Sequence, residues 1–148
     1  MLIETLKSLF NRDLLKLKTE IELYQLEDNI WHVDQNISNS AGNLCLHLIG
    51  NLNAYIGVGL AKTNYVRQRD LEFSLKNIPR FELIKQIEQV ILVVESGLQN
   101  LTEDQMDRDF PIVIWEKPTK MDYTLIHLFG HLNYHLGQIN YHRRLLDL

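Results

Sequence analysis

The sequence predicts an all-α protein, a four-helix bundle with one long crossover between its second and third helices. Three observations carry this. Four long stretches repeat apolar residues every three or four positions, the helical period. Only residues 110–115, with alternating bulk, are β-prone, which predicts a short strand or hairpin there. Residues 62–79 form a link too long for a simple antiparallel turn. A helix of about 22 residues spans ~33 Å, and an extended link of this length reaches ~60 Å. The third helix can therefore start parallel to the second.

The first helix is expected over 3–26, with Leu6, Phe10, Leu14, Leu17, Ile21 and Tyr24 as its buried stripe. The second is expected over 40–61, capped by Ser38 or Ser40, and buries Leu44, Leu48, Leu52, Tyr55 and Ile56. The third, over 80–100, follows Pro79, which suits a first-turn position. Its stripe is Phe81, Ile84, Ile87, Ile91, Val94 and Leu98. The fourth, over 120–146, opens on a capping-box-like pair, Thr119 and Asp122. It buries Leu125, Leu128, Leu132, Leu136 and Ile139, and Arg143 and Arg144 favour its C-terminal dipole. No repeat, low-complexity segment or domain boundary interrupts the chain, so residues 1–148 read as a single domain.

Composition narrows the function. With 148 residues, 45% hydrophobic and 23% charged, the chain suits a soluble globular domain. A net charge of −4 offers no basic footprint for nucleic acid. No apolar run approaches the ~20 residues of a membrane span, and Glu4 interrupts any secretory leader. The lone Cys45 forms no internal disulfide, which suits the cytoplasm. It reads as buried filler.

Chemistry concentrates in the histidines. His127, His131, His135 and His142 are spaced by four, four and seven residues. At ~100° per residue they share one arc of the fourth helix, with Gln138 among them. His131 and His135, one turn apart, have the spacing from which two imidazoles reach one metal ion. The same spacing also fits a polar stripe. His47 lies in an apolar run of the second helix, flanked one turn away by Asn43 and Asn51. It is either a hydrogen-bonded core residue or a third ligand. Taken together, the three imidazoles on facing helices make a metal site with open positions. Trp31 and Trp115 are candidates for a pocket mouth or for core packing.

These residues carry a resemblance. The fourth-helix segment HLNYHLGQI resembles the H-x-x-x-H-x-G-Q-I signature of DinB-like proteins, and LHLIGNLNAYI resembles the segment carrying their other metal histidine. The resemblance runs over most of the chain. It implies an up-down-down-up bundle and a divalent metal held by His47, His131 and His135, with His127 a looser match. Characterised relatives are mainly enzymes using low-molecular-weight thiols, including a maleylpyruvate isomerase whose first fourth-helix ligand is Glu where this chain has His131. Many relatives pair as homodimers. Apolar neighbours on more than one face, Val90 beside Ile91 and Leu92 beside Val93, agree weakly with pairing.

A neutral three-histidine set suits zinc or nickel, and also iron. Such an ion activates a small thiol or a water without a protein nucleophile. None is apparent: the chain has no GxSxG elbow, CxxC pair or paired-carboxylate motif. Asn51, Tyr55, Tyr134, His127, Gln138 and His142 are candidates for orienting ligands or touching substrate. The expected function is a metal-dependent thiol S-transferase or hydrolase acting on small molecules. The competing reading is a non-catalytic metal-binding or stress-response bundle.

Overall fold

The computed structural model describes all residues, 1–148. It holds five α-helices and no strand: α1 (Leu2–Leu23), α2 (Ala41–Leu52), α3 (Arg69–Ser74), α4 (Arg80–Gln99) and α5 (Met121–Leu146). The four long helices form the bundle, and α3 lies within the crossover. α1 runs antiparallel to α4, since Glu4 and Lys7 share a groove with Glu95 and Gln99. It runs parallel to α5, where Phe10 meets Phe129 edge-on and Tyr24 meets His142. α2 is antiparallel to α5 and parallel to α4, because Gly97 of α4 abuts Ile56, just beyond the end of α2. The arrangement is up-down-down-up. α1 lies diagonally across from α2.

The helical stripes form one core. Every residue assigned to the first-helix stripe is buried, as are the fourth-helix leucines and Ile139. Complete burial of each such side chain contributes ~1.5–3 kcal/mol. Tyr55 is half-buried rather than core. The third-helix stripe is met in part: Ile87, Val94 and Leu98 are buried and Ile84 and Ile91 pack partly buried on the core, but Leu83 and Val90 also face inward, while Phe81 is 73% exposed. Residues 81–98 carry apolar side chains on more than one face, so period alone left two phases open.

Several boundaries also differ. α1 ends at Leu23, and a 3-10 turn over Glu27–Trp31 follows. Asp147, just past α5, accepts bonds there from the Gln25 and Leu26 amides and from Asn29. Ser40 caps α2 by accepting from the Asn43 amide at 3.1 Å. α2 then continues as a π-helical turn, Asn53–Gly57. The expected Thr119–Asp122 capping box does not form: Lys120 is the N-cap, and the Thr119 hydroxyl pairs with that of Thr124. A capping box forms instead between Thr102 and Gln105. No strand occupies 110–115. An isolated antiparallel bridge pairs Asp109 with Lys120 and closes the segment as a loop. It lacks a neighbouring strand to satisfy its backbone, so its β propensity goes unused.

Residues 62–79 bend at both ends, where Lys62 and Asn77 each have φ of 59°. The stretch between them is laid across α2 as a strap containing α3.

Candidate metal centre

Every residue of α2 is buried, because α4, α5 and the strap surround it. A helix buried all round is expected to be apolar, and polar groups in it need partners. Asn43, His47 and Asn51 nevertheless form a ridge, one per turn. Asn43 donates to the carbonyls of Glu72 and Leu75 at 2.9 and 2.8 Å, and accepts from Ser40 and Lys76. His47 faces Glu72 through Nδ1 at 3.0 Å. Asn51 Oδ1 is buried without a partner.

α5 brings His131 and His135 to the other end of the His47 ring. Ring centroids lie 4.9 Å apart for His47–His131, 5.2 Å for His47–His135 and 4.6 Å for His131–His135. The potential ligand atoms of all three lie within 4.8 Å of one another. Nε2 of His47 stands 3.1 Å from Nε2 of His131. Two nitrogens at ~2.0–2.1 Å from one tetrahedral ion would be ~3.3 Å apart, so this pair already has the separation of two ligands.

Proton placement follows from the partners. Glu72 is a carboxylate and accepts only, so His47 carries a proton on Nδ1, and the neutral ring turns an Nε2 lone pair towards His131. His135 likewise donates from Nδ1 to Gln138 Oε1 at 2.7 Å, leaving Nε2 free. Two lone pairs do not face each other at 3.1 Å without something positive between them, either a proton on one of the two Nε2 atoms or a cation. His131 Nδ1 is buried and unpartnered.

The electrostatics favour neutral rings at His131 and His135. Burial, reinforced by His135, His47, His127 and Arg67, pushes the His131 pKa down to about 4. Burial also lowers that of His135, with the Gln138 bond opposing and His47 reinforcing. Neutral imidazole is the form that binds a metal. Burial would push the Glu72 carboxyl up, but the bonds from His47 and Arg67 outweigh it and hold the group below its ordinary value. The three histidines, with Glu72 ionised behind one of them, therefore fit a divalent cation.

Glu72 and Arg67 were not singled out from the sequence. Arg67 grips Glu72 with two bonds, Nε to Oε2 at 2.9 Å and Nη2 to Oε1 at 3.0 Å. Both residues sit in a polar link with no periodicity. The one available signal was Gly50, a glycine inside a buried helix run, which points to close packing. A Cβ there would lie 1.9 Å from Glu72 Oε2.

The other candidates disperse. Tyr55 is half-buried beneath the Arg67 guanidinium, 5.7 Å from its ring centroid. His127 is exposed and packs 4.7 Å from Trp115 and 6.4 Å from Tyr123, centroid to centroid. Tyr134 is exposed, 5.2 Å from the His135 ring. His142, although on the same arc, is engaged elsewhere: Nε2 donates to the His32 carbonyl at 2.8 Å, and Tyr24 donates to Nδ1 at 2.7 Å. Trp31 is buried over Gly42, whereas Trp115 is partly exposed and lines, with Tyr123, a cavity of about 800 Å³. Cys45 is buried, which pushes its thiol up to about 12 and leaves it a poor nucleophile.

A cavity of about 470 Å³ opens beside His135 and Gln138, walled also by Ile37, Leu44, Tyr134 and Leu145. Residues 36–39, between α1 and α2, supply its far side.

No helix is long and apolar enough to cross a membrane. No curated protein matches the chain. A family described as "protein of unknown function" matches residues 2–147, nearly the whole chain, and so the protein that carries this histidine centre belongs to that family, DUF1572.

Proposed function

We propose that this protein is a divalent-metal-dependent enzyme of DinB-like type, using a low-molecular-weight thiol or water as its nucleophile at a centre formed by His47, His131 and His135. The 3.1 Å approach of the His47 and His131 Nε2 atoms, with the His47 proton committed to Glu72, carries the reading. Zinc and nickel suit the nitrogen set best, followed by iron. When bound, such an ion supplies Lewis acidity that favours the thiolate or hydroxide form at neutral pH.

The chain's own residues do the rest. Glu72 and Gln138 fix two imidazoles in the tautomer that leaves Nε2 free. Asn51 Oδ1, buried and unpartnered, is an acceptor on the ridge beside His47. The cavity beside His135 would hold the small substrate. With Cys45 sealed in the core, the nucleophile comes from outside the protein.

A second reading, a non-catalytic metal-binding or stress-response bundle, is favoured by one observation. The three histidines tie α2 to α5, so an ion there would also brace the bundle. Metal analysis of protein purified without a nickel column addresses both readings. A panel of small thiols with electrophilic acceptors and hydrolysable esters then separates them. Turnover by the metal-loaded protein, lost in His135→Ala, supports the enzyme. Metal binding without turnover or thiol binding supports the second reading.

A homodimer and a cytoplasmic location belong to the same proposal. Exposed Tyr123, Tyr134, Tyr141 and Leu145 along α5 offer an apolar surface for pairing. Light scattering at several concentrations would read twice the 17.4 kDa chain mass for a dimer and that mass alone for a monomer.

A further inference from the structure

We infer that Glu72, held by Arg67, is the positioning residue of His47, and that docking of the 62–79 strap onto α2 is coupled to occupation of the metal centre; the coupling rests on the metal reading above. The strap meets α2 through one aromatic contact, Phe73 against the His47 ring at 4.9 Å between centroids, and through polar groups. Asn43 bonds two strap carbonyls, Lys76 bonds Asn43, and Glu72 bonds His47. Glu72 is the one buried residue of α3, whereas Val66, Leu71 and Leu75 are exposed. A segment with so little apolar burial sits at the low-stability end of a fold and opens locally. Its docking therefore depends on the Phe73 contact and a few bonds, of which those from Glu72 to His47 and from Asn43 to the Glu72 carbonyl are buried.

That bond is also the link to the metal. Glu72 Oε1 sits on Nδ1, the side of the His47 ring away from Nε2. A carboxylate there fixes the tautomer, aims Nε2 and raises its basicity, as acceptors behind metal-binding histidines do. Arg67 holds both carboxylate oxygens, and its guanidinium is itself braced over Tyr55. When Nε2 gives its lone pair to a cation, Nδ1–H becomes a stronger donor, and the bond to Glu72 strengthens. Each event then favours the other by the same factor. Gly50 fits this assignment, because a side chain there would occupy the place of the carboxylate.

The test compares wild type with Glu72→Gln, which keeps an acceptor of the same size without its charge, and Glu72→Ala, which removes it. Three measurements are made with zinc as the sole ligand: the His47 ring tautomer in metal-free protein by long-range proton–nitrogen NMR, zinc affinity by chelator competition, and amide exchange over 69–76 with and without zinc. The inference expects a single Nδ1–H tautomer in wild type and a mixture in Glu72→Ala. It expects zinc affinity to fall in the order wild type, Gln variant, Ala variant, by ~10–100-fold overall. Zinc should slow strap exchange in wild type and leave Glu72→Ala unchanged. If Glu72→Ala fails to fold, the Gln variant alone decides. Tight zinc binding of equal strength in all variants, or an Nε2–H tautomer in wild type, overturns the positioning role. Strap exchange unchanged by bound zinc overturns the coupling. Absence of zinc binding by wild type overturns the metal reading and the coupling with it, while the ring tautomer still decides whether Glu72 positions His47.

Discussion

Gly50 and Glu72 share one space, and it holds a carboxylate only because position 50 has no side chain: a Cβ there would sit 1.9 Å from Oε2. Gly50→Ala is therefore expected to push Glu72 off His47 and Arg67. Overpacking of this kind costs ~1–3 kcal/mol. The variant should melt lower than wild type and bind zinc ~10–100-fold more weakly. Unchanged zinc affinity in calorimetry would separate Gly50 from the centre.

Three histidines of the α5 arc are expected to behave differently. His131→Ala and His135→Ala should abolish stoichiometric metal in elemental analysis. His127→Ala should retain it, because that ring is exposed and packs on Trp115. Loss of metal in His127→Ala alone would move the centre one turn along α5.

Metal-free protein should lose stability in acid. The His131 pKa falls from 6.5 to about 4 on folding. Between those values the unfolded chain binds more protons than the folded one, so stability rises with pH across that window and is flat in this respect above it. The lowered pKa of His135 acts in the same direction. Melting temperature should fall as pH drops from 6.5 to 4, and less steeply in His131→Asn. Parallel profiles for the two proteins would contradict the assignment.

Tyr24→Phe probes the far side of the bundle. The His32 carbonyl only accepts, so His142 carries its proton on Nε2 and relies on Tyr24 to satisfy Nδ1. Removing the hydroxyl strands a buried acceptor, at ~1–3 kcal/mol. Chemical denaturation should show that loss, with zinc affinity unaltered.

Much of this was legible in the residues. The helical period marked the four long helices, and the spacing of His131 and His135 with His47 opposite marked the three rings that converge. The phase of α4 was legible only in part: Ile87, Val94 and Leu98 are buried as expected, but Val90, Ile91, Leu92 and Val93 suit either face until a neighbour exists. Nor was the role of His142, since sharing an arc does not say which partner lies opposite. Glu72 and Arg67 were hidden for a different reason: their pairing with His47 arises from how an aperiodic strap lies, and no local pattern encodes that.

The diagonal placement of α1 relative to α2 also bears on how the chain is made. α1 finds its partners in α4 and α5, with Tyr24 and His142 separated by 118 positions. A nascent chain emerging from its N-terminus carries the apolar stripe of α1 uncovered until residues 80–146 have been synthesised. The bundle must close long loops before its first helix is covered, which slows folding and exposes a sticky surface meanwhile. The order of translation thus leaves the stripe of α1 waiting longest for its cover.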